Sequence, residues 1–542
     1  MRADKSVRRE RQVEQKMQQH WRRLRSMLNK WRMLLLVFLV IYVSFLLLNL
    51  DSIAVQWDEA SHLNGGFLLL HGQLSSYMST VFYPPLNDLI TAGYFAIAGP
   101  SVFVARLVSV TFAALSVLAV FEFTRHSYSA PTAFISAILI GTMPGLIWLG
   151  RLAMVDSILV FFYSVTLMLF FIWLQKHENK YLLLSGVMLG LGFLAKYPIV
   201  AVAIIMLVSI FFFGKSDLKK RLLKFPFLIL TAVLIALPWL VLLYQTYSTD
   251  MLNQWFYVMD IRFPQSLNVP IPIYYLIAMV WPYGTVHPVS FVVYGLGLTG
   301  LGLLAWRRRP EDKFLLTWFF ATYVFFTLIG QVQWRYIAPI FPVLAISAGS
   351  LVTFLFDKTR NAWKNPQSSL KRSHLAKFAA AGLIALTVFG VAYSYIDTYN
   401  WVKTSNAWDP PVKQTTDYVA TKLNGNESVV VLCPVNVVNG DIIRFYLYSA
   451  NPNQQPLIWQ YPNTDMDTHY ASFNTDELID LCMVNSAKYL LLYEYGETYP
   501  YYNTALTMSE VNRLLMNTQN FTLQTSLGNY PQKIFVYTFS TD

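Results

Sequence analysis

The chain has 542 residues and a formal net charge of +11; 55% of its residues are hydrophobic, 16% are aromatic and 13% are charged. The charged share is about half that of a typical soluble protein, which excludes a cytosolic enzyme, a disordered chain and a fibrous repeat. Repeated apolar runs of roughly 15–20 residues indicate that the lipid bilayer is the main solvent. The two cysteines, Cys433 and Cys482, are too few for a disulfide framework or a thiolate metal cluster.

The N-terminal arm, residues 1–32, carries eleven basic and three acidic residues. The apolar run that follows, 33–50, has the length of a membrane span, and a signal peptide would be shorter and end in a small-residue cleavage site. We therefore predict an uncleaved anchor with a cytoplasmic N-terminus. Such a basic arm is typical of a topology signal that attracts lipid headgroups, and no nucleic-acid partner is expected.

The predicted fold is an α-helical polytopic membrane domain over residues 33–396. Its spans, about 11 in number, are 33–50, 102–124, 130–148, 157–175, 181–195, 198–213, 225–243, 289–306, 314–330, 337–356 and 378–396. Two shorter stretches, 84–99 and 271–282, are broken by Pro, Gly or Asn and are predicted to lie as helices in the outer interface. The positive-inside rule places the basic clusters in the cytoplasm and everything after about residue 397 outside.

This topology leaves four basic residues in four different outer loops: Arg151, Lys196, Arg262 and Arg335. Outer loops are usually poor in Lys and Arg, so these cations need a reason. Joint binding of an anion such as phosphate supplies one. The alternative is that each pairs with a nearby acid or extends to the headgroups.

The first outer loop contains Trp57-Asp58-Glu59, followed by an apolar segment, 60–70, that is predicted to be a short helix on the membrane. The two acids either cap this helix or serve a reaction. Neighbouring helical residues point about 100° apart, so only one carboxylate can face a given cleft. This argues against the paired carboxylates of a glycoside hydrolase and favours a single displacement with one base. His62 either orients a carboxylate, helps to hold a metal, or is an ordinary polar residue of the helix.

An ordered set of motifs resembles a known family. The motifs are Trp57-Asp58-Glu59, Tyr83-Pro84-Pro85-Leu86, Ala105-Arg106-Leu107, Arg151 to Ser157, Gly192 to Lys196, and Arg335-Tyr336-Ile-Ala-Pro339. Over roughly residues 30–350 the chain is similar to the C-type membrane glycosyltransferases, which include the protein O-mannosyltransferases and the aminoarabinose transferase of lipid A. The resemblance implies a multi-helix membrane fold, a sugar donor on a polyprenyl phosphate, and inversion at the anomeric carbon.

The resemblance also implies residue roles. Asp58 would be the catalytic base or would position the acceptor, with Glu59 the acid that follows it and Asp156 the second outer-loop acid. The donor phosphate would meet Lys196, Arg335, Arg262, Arg151 and Tyr336, of which Arg262 matches by position alone. His62 and Tyr83 would line the substrate pocket, although many relatives have His where this chain has Tyr83.

The composition changes after residue 396, and residues 397–542 contain 14 acidic and 7 basic residues. Apolar strands are predicted at 428–433, 487–493 and 532–538, with helices at 411–423, 440–449, 475–484 and 508–517. This alternation predicts a small extracytoplasmic α/β domain. Cys433 and Cys482 are either joined in a disulfide or are two buried free thiols.

The sequence therefore predicts an integral-membrane glycosyltransferase that moves a sugar from a polyprenyl-phosphate donor to a hydroxyl or amine of a protein or glycolipid. No cofactor is required by this chemistry, and a divalent metal is optional. The alternatives are a transporter or flippase for lipid-linked sugars, which would carry ionisable groups at mid-membrane, and a membrane sensor with an external ligand-binding tail.

Overall fold

The structure is a computed structural model that describes residues 30–80, 83–212, 217–250, 253, 269–281, 287–329, 332–364, 370–404, 410–424, 427–452, 454–462, 473–494, 507–529 and 532–541. The predicted basic arm, apart from its last residues, and Arg262 lie outside these ranges. The described chain forms a large helical part followed by a small sheet domain, so the predicted fold class is confirmed. The predicted domain boundaries stay predictions; the one at residue 396 falls inside a helix that continues to Thr404.

The helical part comprises sixteen described helices. The first nine are α1 (Lys30–Leu47), α2 (Trp57–Leu70), α3 (Leu74–Thr80), α4 (Leu86–Ala98), α5 (Val102–Ser127), α6 (Ala130–Gly141), α7 (Pro144–Gly150), α8 (Asp156–Lys176) and α9 (Asn179–Ala195). The others are α10 (Ala201–Phe212), α11 (Leu218–Tyr247), α12 (Ile271–Ala278), α13 (Phe291–Arg307), α14 (Pro310–Leu328), α15 (Phe341–Lys364) and α16 (Leu370–Thr404). Short 3-10 turns, Tyr197–Val200 and Trp334–Ile340, precede α10 and α15.

Six stretches in the described residues are long and apolar enough to cross a bilayer: Lys30–Leu47, Val102–Ser127, Asp156–Lys176, Leu218–Tyr247, Trp334–Asn361 and His374–Lys403. Three shorter apolar helices, α9, α13 and the 3-10 turn with α10, add to them. The total of about 11 spans remains a prediction. Two predicted spans differ in detail from the structure. The span 130–148 is broken into α6 and α7, which are bent by 64°, because Pro144 has no N–H to continue the ladder.

The second difference concerns 198–213, where the α-helix begins only at Ala201 after a 3-10 turn. Pro198 lies within that turn, and proline favours such a helix start because its φ is fixed. The two short stretches that were predicted to lie in the interface form α4 and α12. On α4, Ile97 is 89% exposed while Phe95 is buried, which is the two-sided character expected of an interfacial helix.

Polar contacts distinguish the two ends of the helical bundle. At one end, Arg32 of α1 pairs with Glu122 of α5 at 2.9 Å, and the Tyr128 hydroxyl donates to Asp312 at 2.8 Å. At the other end, the Leu50 carbonyl after α1 accepts from Arg106, near the start of α5, at 2.7 Å. α1 and α5 are therefore antiparallel. The first end carries the basic clusters, and the second carries the outer-loop motifs.

Helices α13 and α15 pack closely through glycine. A Cβ added at Gly300 would lie 2.3 Å from the Ser347 carbonyl oxygen, so only glycine permits this approach. The Ser347 hydroxyl donates to the Gly297 carbonyl across the same contact at 2.9 Å. Small residues that let backbones approach are a common way of packing helices in lipid, where burial of apolar surface gives little driving force.

The C-terminal domain is a five-stranded sheet with four helices. Its strands are β1 (Ser428–Leu432), β2 (Ile458–Tyr461), β3 (Ala487–Glu494), β4 (Phe521–Asn529) and β5 (Gln532–Phe539), in the order β2-β1-β3-β5-β4. The β2, β1 and β3 strands are parallel, whereas β5 pairs antiparallel with both β3 and β4. The helices are α17 (Val412–Ala420), α18 (Gly440–Ala450), α19 (Thr475–Val484) and α20 (Met508–Met516).

The three predicted strands and four predicted helices of this domain are confirmed within a few residues. β2 and β4 were not predicted. β2 has only four residues and lies at an edge, which is too short for a clear alternation of apolar and polar residues. β4 is the other edge strand; it alternates Phe521, Leu523 and Leu527, but Thr525 interrupts the apolar face and most of the strand is exposed. Cys433 and Cys482 are both buried free thiols, which decides between the two alternatives for them.

The sheet domain packs against the outer-loop helices. Phe95 of α4 stacks with Phe445 of α18, with ring centroids 6.2 Å apart. Phe67 of α2 lies 5.8 Å from Tyr448 of the same helix. One apolar core therefore runs from the first outer loop into the α/β domain, and it fixes α18 beside α2.

Candidate active site

The first outer loop positions Asp58 at the start of α2. The helix begins at Trp57, three residues earlier than predicted, with Gln56 as its N-cap. The Glu59 carboxylate accepts the Gln56 backbone N–H at 3.0 Å, as the acid of a capping box does. Asp58 consequently lies in the first helical turn, where the helix dipole favours a negative charge.

Glu59 points into the protein and forms a buried ion pair with Arg106. Its oxygens accept from Arg106 Nε at 2.9 Å and Nη2 at 2.8 Å, and from the Ala153 backbone N–H at 2.7 Å. Both side chains are fully buried. Because its hydrogen bonds are satisfied inside the protein, Glu59 is placed as a structural residue, and we revise its predicted catalytic role.

Arg151 is also placed away from the outer surface. Its guanidinium donates to the carbonyls of Leu46 at 2.7 Å and Leu48 at 2.6 Å, and it is fully buried. A helix leaves its last carbonyls without intrahelical partners, and Arg151 satisfies those at the end of α1. We therefore revise its predicted role from phosphate binding to capping of α1.

Asp58 and Arg335 form an ion pair at the end of the helical bundle opposite Arg32 and Glu122. Arg335 Nη2 donates to Asp58 Oδ2 at 2.6 Å, and the Asp58 side chain is 56% exposed. The Gln333 side chain accepts from Arg335 Nε at 2.8 Å, and Nη1 donates to the thioether sulfur of Met154 at 3.1 Å. A thioether is a weak acceptor, so this N–H group can donate instead to a stronger acceptor, such as a phosphate oxygen.

The charge environment keeps the Asp58 carboxyl ionised. Its partial desolvation raises its pKa, but the charge and hydrogen bond of Arg335, together with the charges of His62 and Lys196, lower it more. The net pKa of Asp58 lies below the ordinary value of an aspartate. Its other oxygen, Oδ1, accepts no hydrogen bond from the residues that the structure describes, and it is accessible to a substrate.

A second ion pair, between Lys196 and Asp156, lies beside the first. Lys196 Nζ donates to Asp156 Oδ1 at 2.6 Å, and the Asp156 side chain is 2% exposed. Asp156 is the first residue of α8, and Lys196 follows α9. The ring of Tyr336 joins the two pairs: Lys196 Nζ lies 4.9 Å from its centroid and the Arg335 guanidinium 5.5 Å. Two cations from different loops thus converge on one aromatic ring.

His62 and Tyr83 lie at the same end of the molecule. His62 is one turn after Asp58 on α2, and its Nδ1 is 2.7 Å from the buried Asp88 of α4. The Tyr77 hydroxyl donates to the other oxygen of Asp88 at 3.0 Å. Burial lowers the pKa of His62, but Asp88 and then Asp58 raise it more, so the net pKa is above the ordinary value.

Tyr83 stands at the rim of the site. Its ring centroid is 6.1 Å from that of His62, and the residue is 55% exposed. Burial of its hydroxyl and the charges of Asp58 and Asp441 raise the pKa of Tyr83, although Arg335 opposes them. The hydroxyl therefore stays protonated and can donate a hydrogen bond to a substrate.

The structure thus brings together Asp58, Arg335, Lys196, Asp156 and Tyr336, with His62 and Tyr83 beside them. It adds Asp88 and Asp441, which the sequence did not single out. An Asn-Asp pair after Tyr83-Pro84-Pro85-Leu86 was a usable signal for Asp88, since an acid in an apolar interfacial helix needs a partner. Nothing in the local sequence indicated Asp441, because it comes from the other domain.

Known proteins resemble this chain over parts of its sequence. Residues 83–244 match the family model for dolichyl-phosphate-mannose-protein mannosyltransferase. The undecaprenyl phosphate-alpha-4-amino-4-deoxy-L-arabinose arabinosyl transferase of Yersinia enterocolitica is 27% identical over 270 residues, 47% of each chain. The enzyme of the same name from Aeromonas hydrophila is 26% identical over 280 residues, 49% of each chain. The alignments thus span about half the length of these curated relatives.

Structural similarity to solved proteins extends over more of the chain than the sequence matches do. The crystal structure of ArnT from Cupriavidus metallidurans bound to undecaprenyl phosphate superposes with a TM-score of 0.62 and 14% identity, covering 93% of this chain and 97% of ArnT. The chain therefore shares the fold of ArnT over most of its length. The oligosaccharyltransferase of Archaeoglobus fulgidus, at a TM-score of 0.55 and 15% identity, covers 84% of this chain and 69% of its own. The six described helices that are long and apolar enough to cross a bilayer, together with this fold, identify an integral membrane protein.

Proposed function

We propose that this protein transfers a sugar from a polyprenyl-phosphate donor to an acceptor hydroxyl or amine by a single displacement that inverts the anomeric carbon. The observation that carries the proposal is the convergence of Asp58, Arg335 and Lys196, from three separate segments, around Tyr336. A displacement of this kind needs one base and cations for a phosphate leaving group, and the site provides both. The names of the relatives, which refer to undecaprenyl phosphate and dolichyl phosphate mannose, support the class of donor.

The donor phosphate would bind between Lys196 and Arg335. Arg335 can exchange its contact with the Met154 sulfur for a phosphate oxygen, while its pair with Asp58 stays in place. Lys196 has three N–H donors, of which Asp156 uses one. As the bond between the anomeric carbon and the phosphate oxygen breaks, these cations stabilise the phosphate that leaves. The predicted contribution of Arg262 lies outside the described residues and stays a prediction.

Asp58 would receive the proton of the acceptor. Its exposed carboxylate is ionised, and its Oδ1 accepts no hydrogen bond from the described residues. Oδ1 can therefore accept the proton as the acceptor atom bonds to the anomeric carbon. The pair with Arg335 makes Asp58 a weaker base than an isolated aspartate, but it also aligns the carboxylate with the departing phosphate. Tyr83 would donate a hydrogen bond to the bound sugar or acceptor.

The proposed orientation places the N-terminus in the cytoplasm and the α/β domain outside. It is supported by the separation of charges along the bundle: the end marked by Arg32 and Glu122 is the end of the basic clusters. The positive-inside rule assigns that end to the cytoplasm. The proposed active site and the α/β domain lie at the opposite end.

The function is tested with the full chain reconstituted in liposomes. Two radiolabelled probes, undecaprenyl-phosphate aminoarabinose and dolichyl-phosphate mannose, are supplied with proteins and glycolipids from native membranes as acceptors. Transfer of label to a protein or glycolipid supports the proposal. Movement of intact donor across the bilayer without transfer supports a flippase and overturns it, as does the absence of both activities.

A further inference from the structure

Trp57, the residue before Asp58, is held by the α/β domain. Its indole Nε1–H donates to Asp441 Oδ2 at 2.9 Å, and its backbone N–H donates to Asn436 Oδ1 at 3.2 Å. Two turns along α2, the Asn64 amide donates to the Asp441 carbonyl at 2.8 Å. The α/β domain therefore makes polar contacts with α2 before and after Asp58.

Three consecutive residues divide their contacts between the two parts of the molecule. Trp57 contacts the α/β domain, whereas Glu59 is fixed to the helical part by Arg106 and the Ala153 N–H. Asp58 lies between them, and its carboxylate is held only by Arg335 among the described residues. The direction of the Asp58 side chain thus depends on the first turn of α2, which is fixed from both sides.

The position of the Asp441 carboxylate, which accepts from Trp57, is fixed by contacts at the start of α18. It is near the start of α18, where the Asn439 side chain accepts the backbone N–H groups of Asp441 and Ile442, both at 3.1 Å. Arg444 donates to Asp441 Oδ1 at 2.6 Å, so each oxygen of the carboxylate has one defined partner. The Asp441 side chain is 27% exposed, and its geometry is fixed by these contacts.

We propose that Asp441 is a positioning residue for the transfer reaction, which holds Trp57 and through it the turn that carries Asp58. The inference rests on the proposed function of Asp58 and extends it to the α/β domain. A small misplacement of a reacting group costs a large factor in rate while substrate binding is kept. Loss of the Trp57–Asp441 bond should therefore lower kcat and leave the donor KM unchanged.

Four variants of the reconstituted full chain test this: Asp441→Ala, Asp441→Asn, Trp57→Phe and the double variant Trp57→Phe/Asp441→Ala. Trp57→Phe removes the N–H but keeps an aromatic ring, and Asp441→Asn keeps an oxygen that accepts a hydrogen bond. The matched control is Glu477→Gln, which changes a carboxylate of the same domain that contacts Tyr461. Initial rates are measured with the radiolabelled donor that the wild type uses, and the thermal midpoint of each variant is recorded.

We expect Asp441→Ala and Trp57→Phe each to lower kcat by about tenfold with an unchanged donor KM. Asp441→Asn should recover most of the rate, and the double variant should be no slower than either single one because both remove one interaction. Wild-type kcat in Trp57→Phe or in Asp441→Ala overturns the inference, and so do additive losses in the double variant. If the wild type itself transfers no sugar, the proposed function fails and this inference fails with it.

Discussion

Arg335 and Asp58 are 277 positions apart in sequence, yet their side chains meet at 2.6 Å. The pair joins the first outer loop to the turn before α15. In an inverting displacement, the base acts on the acceptor atom that bonds to the anomeric carbon, and the cation acts on the phosphate that leaves from the opposite face of that carbon. Their contact holds both groups in a fixed relation before any substrate binds.

The first prediction concerns the donor phosphate. Lys196→Gln keeps a hydrogen-bond donor for Asp156 but removes the charge, so the donor KM should rise roughly 10- to 100-fold, the value of one charge-assisted hydrogen bond. Arg335→Lys should also raise it, because lysine lacks the planar fork that binds two phosphate oxygens. Steady-state kinetics with the radiolabelled donor provide the measurement. An unchanged donor KM in both variants would place the phosphate elsewhere.

The second prediction is a pH dependence. Arg335 helps to hold the pKa of Asp58 below the ordinary value, so the ionised base persists to lower pH and the acid limb of kcat/KM should lie below that value. Removal of the positive charge in Arg335→Gln should move the limb to higher pH, whatever the loss of absolute rate. A profile with the limb unchanged in Arg335→Gln would show that Asp58 is not the titrating group.

The third prediction concerns the structural role of Glu59, in contrast to the catalytic role proposed for Asp58. Glu59→Gln leaves the fully buried Arg106 without a counter-charge, which should destabilise the protein by about 3–5 kcal/mol. The thermal midpoint in detergent micelles measures this. Glu178→Gln is a matched control, because Glu178 pairs with Lys180 at the surface and such pairs contribute little. Equal midpoints for the two variants would refute the structural role of Glu59.

The fourth prediction concerns His62. Its pKa is raised in the folded protein, chiefly by Asp88 acting against burial, so its protonated form stabilises the fold fully at pH values below the ordinary histidine pKa. That stabilisation is lost as the pH rises through the folded-state pKa. The thermal midpoint of the wild type should therefore fall over this interval.

His62→Gln should flatten this pH dependence, whereas His71→Gln, a change at the end of the same helix, should retain it. Midpoints that vary with pH in the same way in both variants would show that another group is responsible. His62 lies within α2 and His71 is its C-cap, so the two variants change the same element of the fold.

The sequence predicted most of the helices and the convergence of Asp58, Asp156, Lys196 and Arg335, because apolar length and unusual outer-face charges are visible in a single chain. For Glu59 and Arg151 the contacts in the structure favour structural roles over the predicted ones, for one physical reason. A guanidinium can satisfy helix carbonyls as well as phosphate oxygens, and a carboxylate can satisfy a buried arginine as well as a substrate. The residue type does not show which partner is present.

The contact between Trp57 and Asp441 could not be predicted for another reason. It depends on how two domains dock, and neither residue has a local pattern that indicates the other. Asp88 is an intermediate case. An acid in an apolar helix needs a polar partner, but the sequence does not show that the partners are His62 and Tyr77. Sequence patterns therefore predicted the charged residues of the candidate site more readily than the residues that contact and position them.

If Asp58 is the base of a sugar transfer, then Asp58→Asn should abolish the reaction and leave the rest of the site intact. Transfer of radiolabelled sugar to the native-membrane acceptors and binding of undecaprenyl phosphate are measured together in wild type and variant. We predict that transfer falls by at least about 100-fold, while the thermal midpoint and lipid-phosphate binding are retained. Full transfer activity in Asp58→Asn would show that Asp58 is not the base.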